Sequence, residues 1–256
     1  MVLAALLLAA GPAATDGLVA RVTVVYDNVL WRDSAGSPAA PGLRTDWGFS
    51  ALVETGSAMV LFDTGTHGSI LLSNLEALGL DPASVDAVVL SHRHADHCGG
   101  LGVLLGLPDP PAVFLLEEFA ETAPESLRHV VFGPDTVTKG VLTTGPVEGP
   151  ITEQALVVPT GTGPLVVCGC SHPGAEQMAR AAAEVCDEPP RLVMGGFHMG
   201  GATPADAEAL ADSLEKLGTG SVAPTHCTGE TAREVLRARF GERFREGGLG
   251  WRLVVR

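Results

Sequence analysis

Six residues, His92-Arg93-His94-Ala95-Asp96-His97, carry four side chains of metal-ligand type directly after an almost wholly apolar run, Val85 to Leu90. A continuous apolar run of this length reads as a strand buried on both faces, as in the middle of a parallel sheet. The run ends at Ser91, where the chain must turn, so the donors stand on a loop at a strand end. Three of the chain's eight histidines fall in these six positions. A polar surface turn with chance histidines does not explain that density. Imidazole and carboxylate are donors that zinc and related divalent ions accept. A loop that turns His92 and His94 toward one ion brings Asp96 and His97 toward a second. A helical H-E-x-x-H differs, because its two histidines share one face across a single turn.

The chain has 256 residues, 46% of them hydrophobic and 18% charged, enough to bury a substantial core. The formal charge of −14, with no Lys/Arg cluster free of acidic interruption, argues against a nucleic-acid partner. A small-molecule substrate is the expected partner. Five cysteines without a CxxC pair read as mostly free thiols. Cys168 and Cys170 alternate along an expected strand, so their side chains should share a face. Met1 to Ala10 is apolar and precedes Gly11-Pro12-Ala13-Ala14. Residues 1–17 therefore read either as a short export signal or as a flexible leader, ahead of a catalytic domain over 18–256. The run has no Lys or Arg before it and is too short to span a bilayer. Cytoplasmic and exported locations both stay open, and no stable membrane insertion is expected.

Strand-like and helix-like runs alternate along the chain. Strands are expected at Val19 to Tyr26, in a hairpin formed by Gly48 to Val53 and Ala58 to Phe62, and at Val85 to Leu90. Further strands are expected at Ala112 to Leu116, Ala155 to Val158, Leu165 to Gly169, Arg191 to Met194, Val222 to Ala223 and Arg252 to Val255. Helices are expected at Ser69 to Leu78, Leu101 to Leu107, Pro173 to Cys186, Pro204 to Leu217 and Glu230 to Phe240. Thr203 reads as an N-cap before Pro204, and Gly79 as a helix-ending glycine. Glu117 to Pro150, rich in Pro, Gly and Thr, has the weakest pattern and reads as a long loop covering the site. A strand-rich half followed by a more helical half leaves room for a structural duplication.

The motif His92-x-His94-x-Asp96-His97 resembles the signature of the metallo-β-lactamase superfamily, and Leu61-Phe62-Asp63-Thr64-Gly65 looks like that superfamily's strand-end aspartate motif. Three later segments resemble its dihydropterin-ribofuranosylaminobenzene-phosphate synthase-like branch. They are Gly169-Cys170-Ser171-His172-Pro173-Gly174, Gly195-Gly196-Phe197-His198 and Pro224-Thr225-His226-Cys227-Thr228-Gly229. The resemblance spans residues from about 48 to 229. It implies an α/β fold, a single-domain αββα sandwich with two divalent metal ions at one edge. Zinc is the expected metal, with manganese or iron as alternatives. It also implies His92, His94 and His172 around one ion, with Asp96, His97 and His226 around the other.

One departure stands out. The superfamily places a histidine just before the strand that begins near Ala155, where this chain has Thr152-Glu153-Gln154. His172 substitutes for it, or Glu153 serves, or the first ion is weakly held. Cys170 stands where the superfamily has a bridging Asp or a Cys; a thiolate suits zinc, whereas free cysteines are also common core residues. Asp63 reads as a carboxylate that fixes the tautomer of a ligating imidazole. Asp96 and His198 are the candidate catalytic residues, His198 as a proton donor to the leaving group. His67, His129, Cys98 and Cys227 are assigned no role. Two close ions make hydroxide available from a shared water near neutral pH, for attack on a phosphoryl or carbonyl centre. The expected function is a dinuclear metal-dependent hydrolase acting on a phosphate ester or another small anionic molecule. The alternatives are a dihydropterin-linked synthase, a β-lactamase-like amide hydrolase and a non-catalytic metal-binding protein.

Overall fold

Strands that are apolar on both faces need cover on both faces, and two stacked sheets with outer helices supply it. That arrangement is seen in a computed structural model describing residues 20–255. The expected leader, residues 1–17, lies outside the described residues.

The first sheet contains β1 (Ala20–Tyr26), β2 (Ser50–Glu54), β3 (Met59–Phe62), β4 (Ala87–Val89), β5 (Ala112–Leu116) and β6 (Arg128–Val131). The second contains β7 (Asp135–Thr138), β8 (Val141–Thr143), β9 (Leu156–Val158), β10 (Leu165–Cys168), β11 (Leu192–Gly196) and β12 (Ser221–Thr225). A last strand, β13 (Arg252–Val255), returns to the first sheet. The orders are β13-β1-β2-β3-β4-β5-β6 and β12-β11-β10-β9-β8-β7. In each sheet an antiparallel meander leads into parallel strands: β3 to β6 in the first, β10 to β12 in the second. The halves thus repeat one plan.

Helices α1 (Gly68–Ala77), α2 (Ala95–Cys98) and α3 (Leu101–Leu105) belong to the first half; α4 (Ala175–Cys186), α5 (Pro204–Lys216) and α6 (Glu230–Phe240) belong to the second. Side-chain alternation along β10 shows how the layers share the chain. Leu165 and Val167 enter the core between the sheets, whereas Val166 and Cys168 pack with Met178, Leu214 and Leu236 under the outer helices. That double burial is why the run reads as uninterruptedly apolar.

Two expectations need correction. Residues 117–150 are not one long loop: they hold β6, β7 and β8, strands of three or four residues separated by tight turns. The sequence hides them because strands of three or four residues carry too few side chains to show a period. Cys168 and Cys170 also do not share a face. The strand stops at Cys168, which joins the helical layer, and the chain then turns Cys170 toward His97 and His226.

The edge at the carboxyl ends of the parallel strands collects Asp63 after β3, His92 after β4, Cys170 and His172 after β10, His198 after β11 and His226 after β12. Open α/β sheets place ligands at this edge, because strands diverge there and loops from several elements meet.

Thr203 caps α5: its side chain accepts from Asp206 N, and Asp206 accepts in return from Thr203 N at 2.9 Å. Removing this reciprocal cap with Thr203→Ala should lower unfolding free energy by about 1 kcal/mol. Leu156→Ala, at a fully buried position between the sheets, should cost roughly 2–5 kcal/mol. Urea unfolding monitored by circular dichroism checks both, with the core variant expected to show the larger drop in midpoint.

Candidate metal centre

The site is made by backbone turns that a regular strand does not permit. Five non-glycine residues among those described have positive φ: Asp63, Ser171, Asp187, His198 and His226. Four of these five stand just beyond a strand of the metal-site edge. Left-handed conformations cost energy in non-glycine residues and gather where surrounding structure over-determines them. Here each one breaks the strand's alternation and re-aims a side chain into the edge. Gly169 permits a close approach: a Cβ there would lie 2.2 Å from Ser91 Oγ and 3.1 Å from Asp63 Oδ2.

The rings crowd together. Ring centroids are 4.3 Å apart for His92 and His97, 4.7 Å for His92 and His94, and 4.9 Å for both His92–His172 and His94–His172. His97 and His226 are separated by 5.1 Å. Cys170 Sγ lies 3.2 Å from His97 Nε2 and 3.5 Å from His226 Nε2, and Asp96 Oδ2 lies 3.5 Å from His226 Nε2. Three donor groups result among the described residues, Asp96/His97/Cys170/His226, His92/Cys170/His172 and Cys170/His198/Cys227, each with its donor atoms within 4.8 Å of one another. Cys170 belongs to all three. His94 faces the second group through its ring contacts with His92 and His172.

Each buried imidazole is held from behind by its Nδ1. Asp63 Oδ2 binds His97 Nδ1 at 2.7 Å, Ser91 Oγ meets His92 Nδ1 at 2.9 Å, and Asn28 Oδ1 binds His226 Nδ1 at 2.9 Å. Glu153 Oε1 binds His172 Nδ1. Such partners fix the tautomer and leave Nε2 as the lone-pair donor. His92 Nε2 is buried with no hydrogen-bond partner among the described residues. A buried polar atom in that state needs an explanation, and a divalent cation supplies one. The donor set, imidazoles with a carboxylate and a thiol, fits zinc or a similar ion.

Electrostatics point the same way. Burial, reinforced by the neighbouring His97, pushes His92 down to about 2. Burial and the charge of His226 push His97 down to about 4. Both rings are therefore neutral near pH 7, with lone pairs free for a cation. Burial alone would raise the Asp96 carboxyl, but its hydrogen bond with His226 and the nearby His97 hold it well below the ordinary range. It stays an anion.

All of His92, His94, Asp96, His97, Cys170, His172 and His226 come together as the motifs suggest. Glu153 has a different place. It is fully buried, and its carboxylate accepts from the backbone N–H groups of Cys170, Ser171 and His172 as well as from the His172 ring. With its oxygens committed there, Glu153 anchors the turn that carries two donors. Asp63 holds His97 and accepts from Ser91 N and Oγ at 2.7 and 2.8 Å. His198 is exposed, 4.2 Å from the His172 ring, beside a cleft of about 350 Å³ lined also by Ser171, Glu176, Phe197 and Met199. Cys227, read in the sequence as packing alone, has its thiol within 4.8 Å of the Cys170 and His198 donors. Asn28 and Trp47 gave no local signal; one holds His226 from behind and the other stands against its ring.

Residues 47–174 match the family model described as the metallo-beta-lactamase superfamily. The chain belongs to that superfamily. It is 27% identical to a 7,8-dihydropterin-6-methyl-4-(beta-D-ribofuranosyl)-aminobenzene-5'-phosphate synthase from Methanocaldococcus jannaschii, over 77% of this chain and 86% of that protein. Among solved structures it resembles Tm1679, described as a metal-dependent hydrolase of the beta-lactamase superfamily, with 27% identity and a TM-score of 0.74, covering 91% of this chain and 98% of the other. The fold also matches the metallo-beta-lactamase fold protein YhfI from Bacillus subtilis, at 18% identity and a TM-score of 0.62, over 92% and 99% of the two chains.

Asp63→Asn removes the carboxylate behind His97 while keeping its size. Zinc affinity, measured by competition with a chromogenic chelator, should fall roughly 10–100-fold with the far-ultraviolet spectrum unchanged. Unaltered affinity would show that the His97 orientation does not depend on Asp63.

Proposed function

We propose that this chain is a dinuclear metal-dependent hydrolase acting on a phosphate ester or a related small anionic substrate. One observation carries the reading: four imidazoles, each held at Nδ1, turn their other nitrogens toward a space in which Cys170 Sγ is common to two donor groups. In this reading His92, His94 and His172 hold one ion, and Asp96, His97 and His226 the other, with Cys170 between them. Bound ions of this kind lower the pKa of a shared water and stabilise developing negative charge on the substrate.

The chain's own residues then have distinct tasks. Asp63, Ser91, Glu153 and Asn28 keep the imidazoles aimed, so no reorganisation is needed when substrate arrives. Asp96, held as an anion, accepts a hydrogen bond from the attacking group and orients it. His198 stands at the cleft with its pKa raised, chiefly by a hydrogen bond with Cys227. It is placed to deliver a proton to the leaving oxygen. The description of Tm1679 as a metal-dependent hydrolase supports this reading.

A synthase is the second reading, supported by the similarity to the Methanocaldococcus jannaschii enzyme. The same donors would then polarise a phosphorylated substrate, and a second organic partner in place of water would displace its phosphate-bearing leaving group, the new bond forming as the bond to that group breaks.

Two measurements test the proposal. Purified protein should hold about two zinc or manganese ions per chain and hydrolyse bis-p-nitrophenyl phosphate. Dialysis against dipicolinate should remove the activity, and added zinc or manganese should restore it. Metal-free protein with full activity would contradict the proposal. His198→Ala should lower kcat by about 10²–10⁴-fold while leaving metal content unchanged; an unchanged kcat would remove His198 from the mechanism.

A further inference from the structure

Trp47 is the one exposed large hydrophobic side chain, among the described residues, that lies in ring contact with a histidine of the site. Its centroid is 5.0 Å from that of His226 at an angle of 49°, yet 55% of the residue faces solvent. Exposing an indole forgoes the gain of burying it, and a mobile loop would fold such a ring away. Trp47 instead sits on a segment stitched down at every residue. Asp46 Oδ2 accepts from Tyr26 OH at 2.5 Å and pairs with His67 Nδ1 at 2.7 Å, and Asp46 N donates to Asp27 O. Trp47 O accepts from Thr66 Oγ1. Gly48 has φ +140°, and a Cβ there would stand 2.6 Å from Asp96 O. Phe49 N donates to that same carbonyl at 3.1 Å. The segment is thus tied both to the start of α1 and to the turn that carries Asp96.

A rigid exposed aromatic beside a reactive centre has the physics of a binding anchor. Little entropy is lost on contact, and offset stacking adds to the area buried. We propose that Trp47 is a stacking wall, and that the substrate carries a planar aromatic or heteroaromatic ring next to its anionic group. The ring lies on the free part of the indole while the anion enters between the donor groups. The proposal rests on the hydrolase reading and narrows its substrate class.

The test uses zinc-loaded full-length protein and three phosphonates, which bear the anion but cannot be hydrolysed: methyl-, cyclohexyl- and phenylphosphonate. Binding is read by calorimetry. Phenylphosphonate should bind about fivefold to tenfold more tightly than cyclohexylphosphonate, which is of similar size but not planar. Trp47→Phe should keep that preference and Trp47→Leu should lose it, with methylphosphonate affinity and melting temperature unchanged in both. Equal binding of the two ring compounds to the unaltered protein overturns the stacking wall and leaves the hydrolase reading standing. So does a preference that survives Trp47→Leu. A fourth ligand, 2-(trimethylammonio)ethylphosphonate, separates stacking from attraction of a cation to the indole face: binding tighter than phenylphosphonate, lost in Trp47→Leu, overturns the planar-ring class. Absence of binding by every phosphonate overturns both readings.

Discussion

An imidazole offers a metal one good lone pair only when its other nitrogen is engaged as a donor, and four polar side chains of this molecule serve that requirement. Asp63, Ser91, Glu153 and Asn28 each stand behind one ring, and they come from four separate parts of the chain. Without them, tightly packed neutral rings would rotate, or share protons with one another, and the orphaned His92 Nε2 would find a neighbour. With them, the rings are fixed before any ion arrives. The cost is visible as buried carboxylates: Glu153 is brought down to about 2 because its hydrogen bond with His172 and the nearby imidazoles outweigh the burial that would otherwise raise it.

The sandwich exists to present these residues from both sheets at one edge. Parallel strands β3–β6 and β10–β12 end together there, and each half contributes ligand-type side chains from the residues that follow its strands. Strand alternation would send half of those side chains away from the edge. Left-handed turns at Asp63, Ser171, His198 and His226 correct the aim, and Gly169 lets the two halves approach closely enough for Ser91 and Asp63 to lie behind the rings. Energy is spent on strained backbone because the packed sheets on either side hold it in place.

Much of this was legible in the sequence, for a definite reason. The 92–97 cluster is local, and the late donors His172 and His226 each follow an apolar run, so a strand-then-ligand pattern marks them. Other features were hidden because their partners are remote. Glu153 looked like a candidate ligand, since nothing in Thr152-Glu153-Gln154 reveals that its oxygens accept from backbone groups 17 to 19 residues further on. Asn28 meets His226 across 198 residues. Cys227 and Trp47 carry no periodic or spacing signal at all; only the fold brings one against Cys170 and the other against His226. The strands β6 to β8 were missed because three or four residues are too few to display alternation.

Zinc K-edge X-ray absorption on the zinc-loaded protein tests the donor arrangement most directly. Sharing of Cys170 between two histidine-rich groups requires a sulfur shell at about 2.3 Å beside a nitrogen/oxygen shell at about 2.0–2.1 Å. It also requires a metal–metal distance near 3.5–4 Å, with the sulfur shell lost in Cys170→Ser. A spectrum with nitrogen and oxygen alone, or with no second metal within that distance, would contradict it.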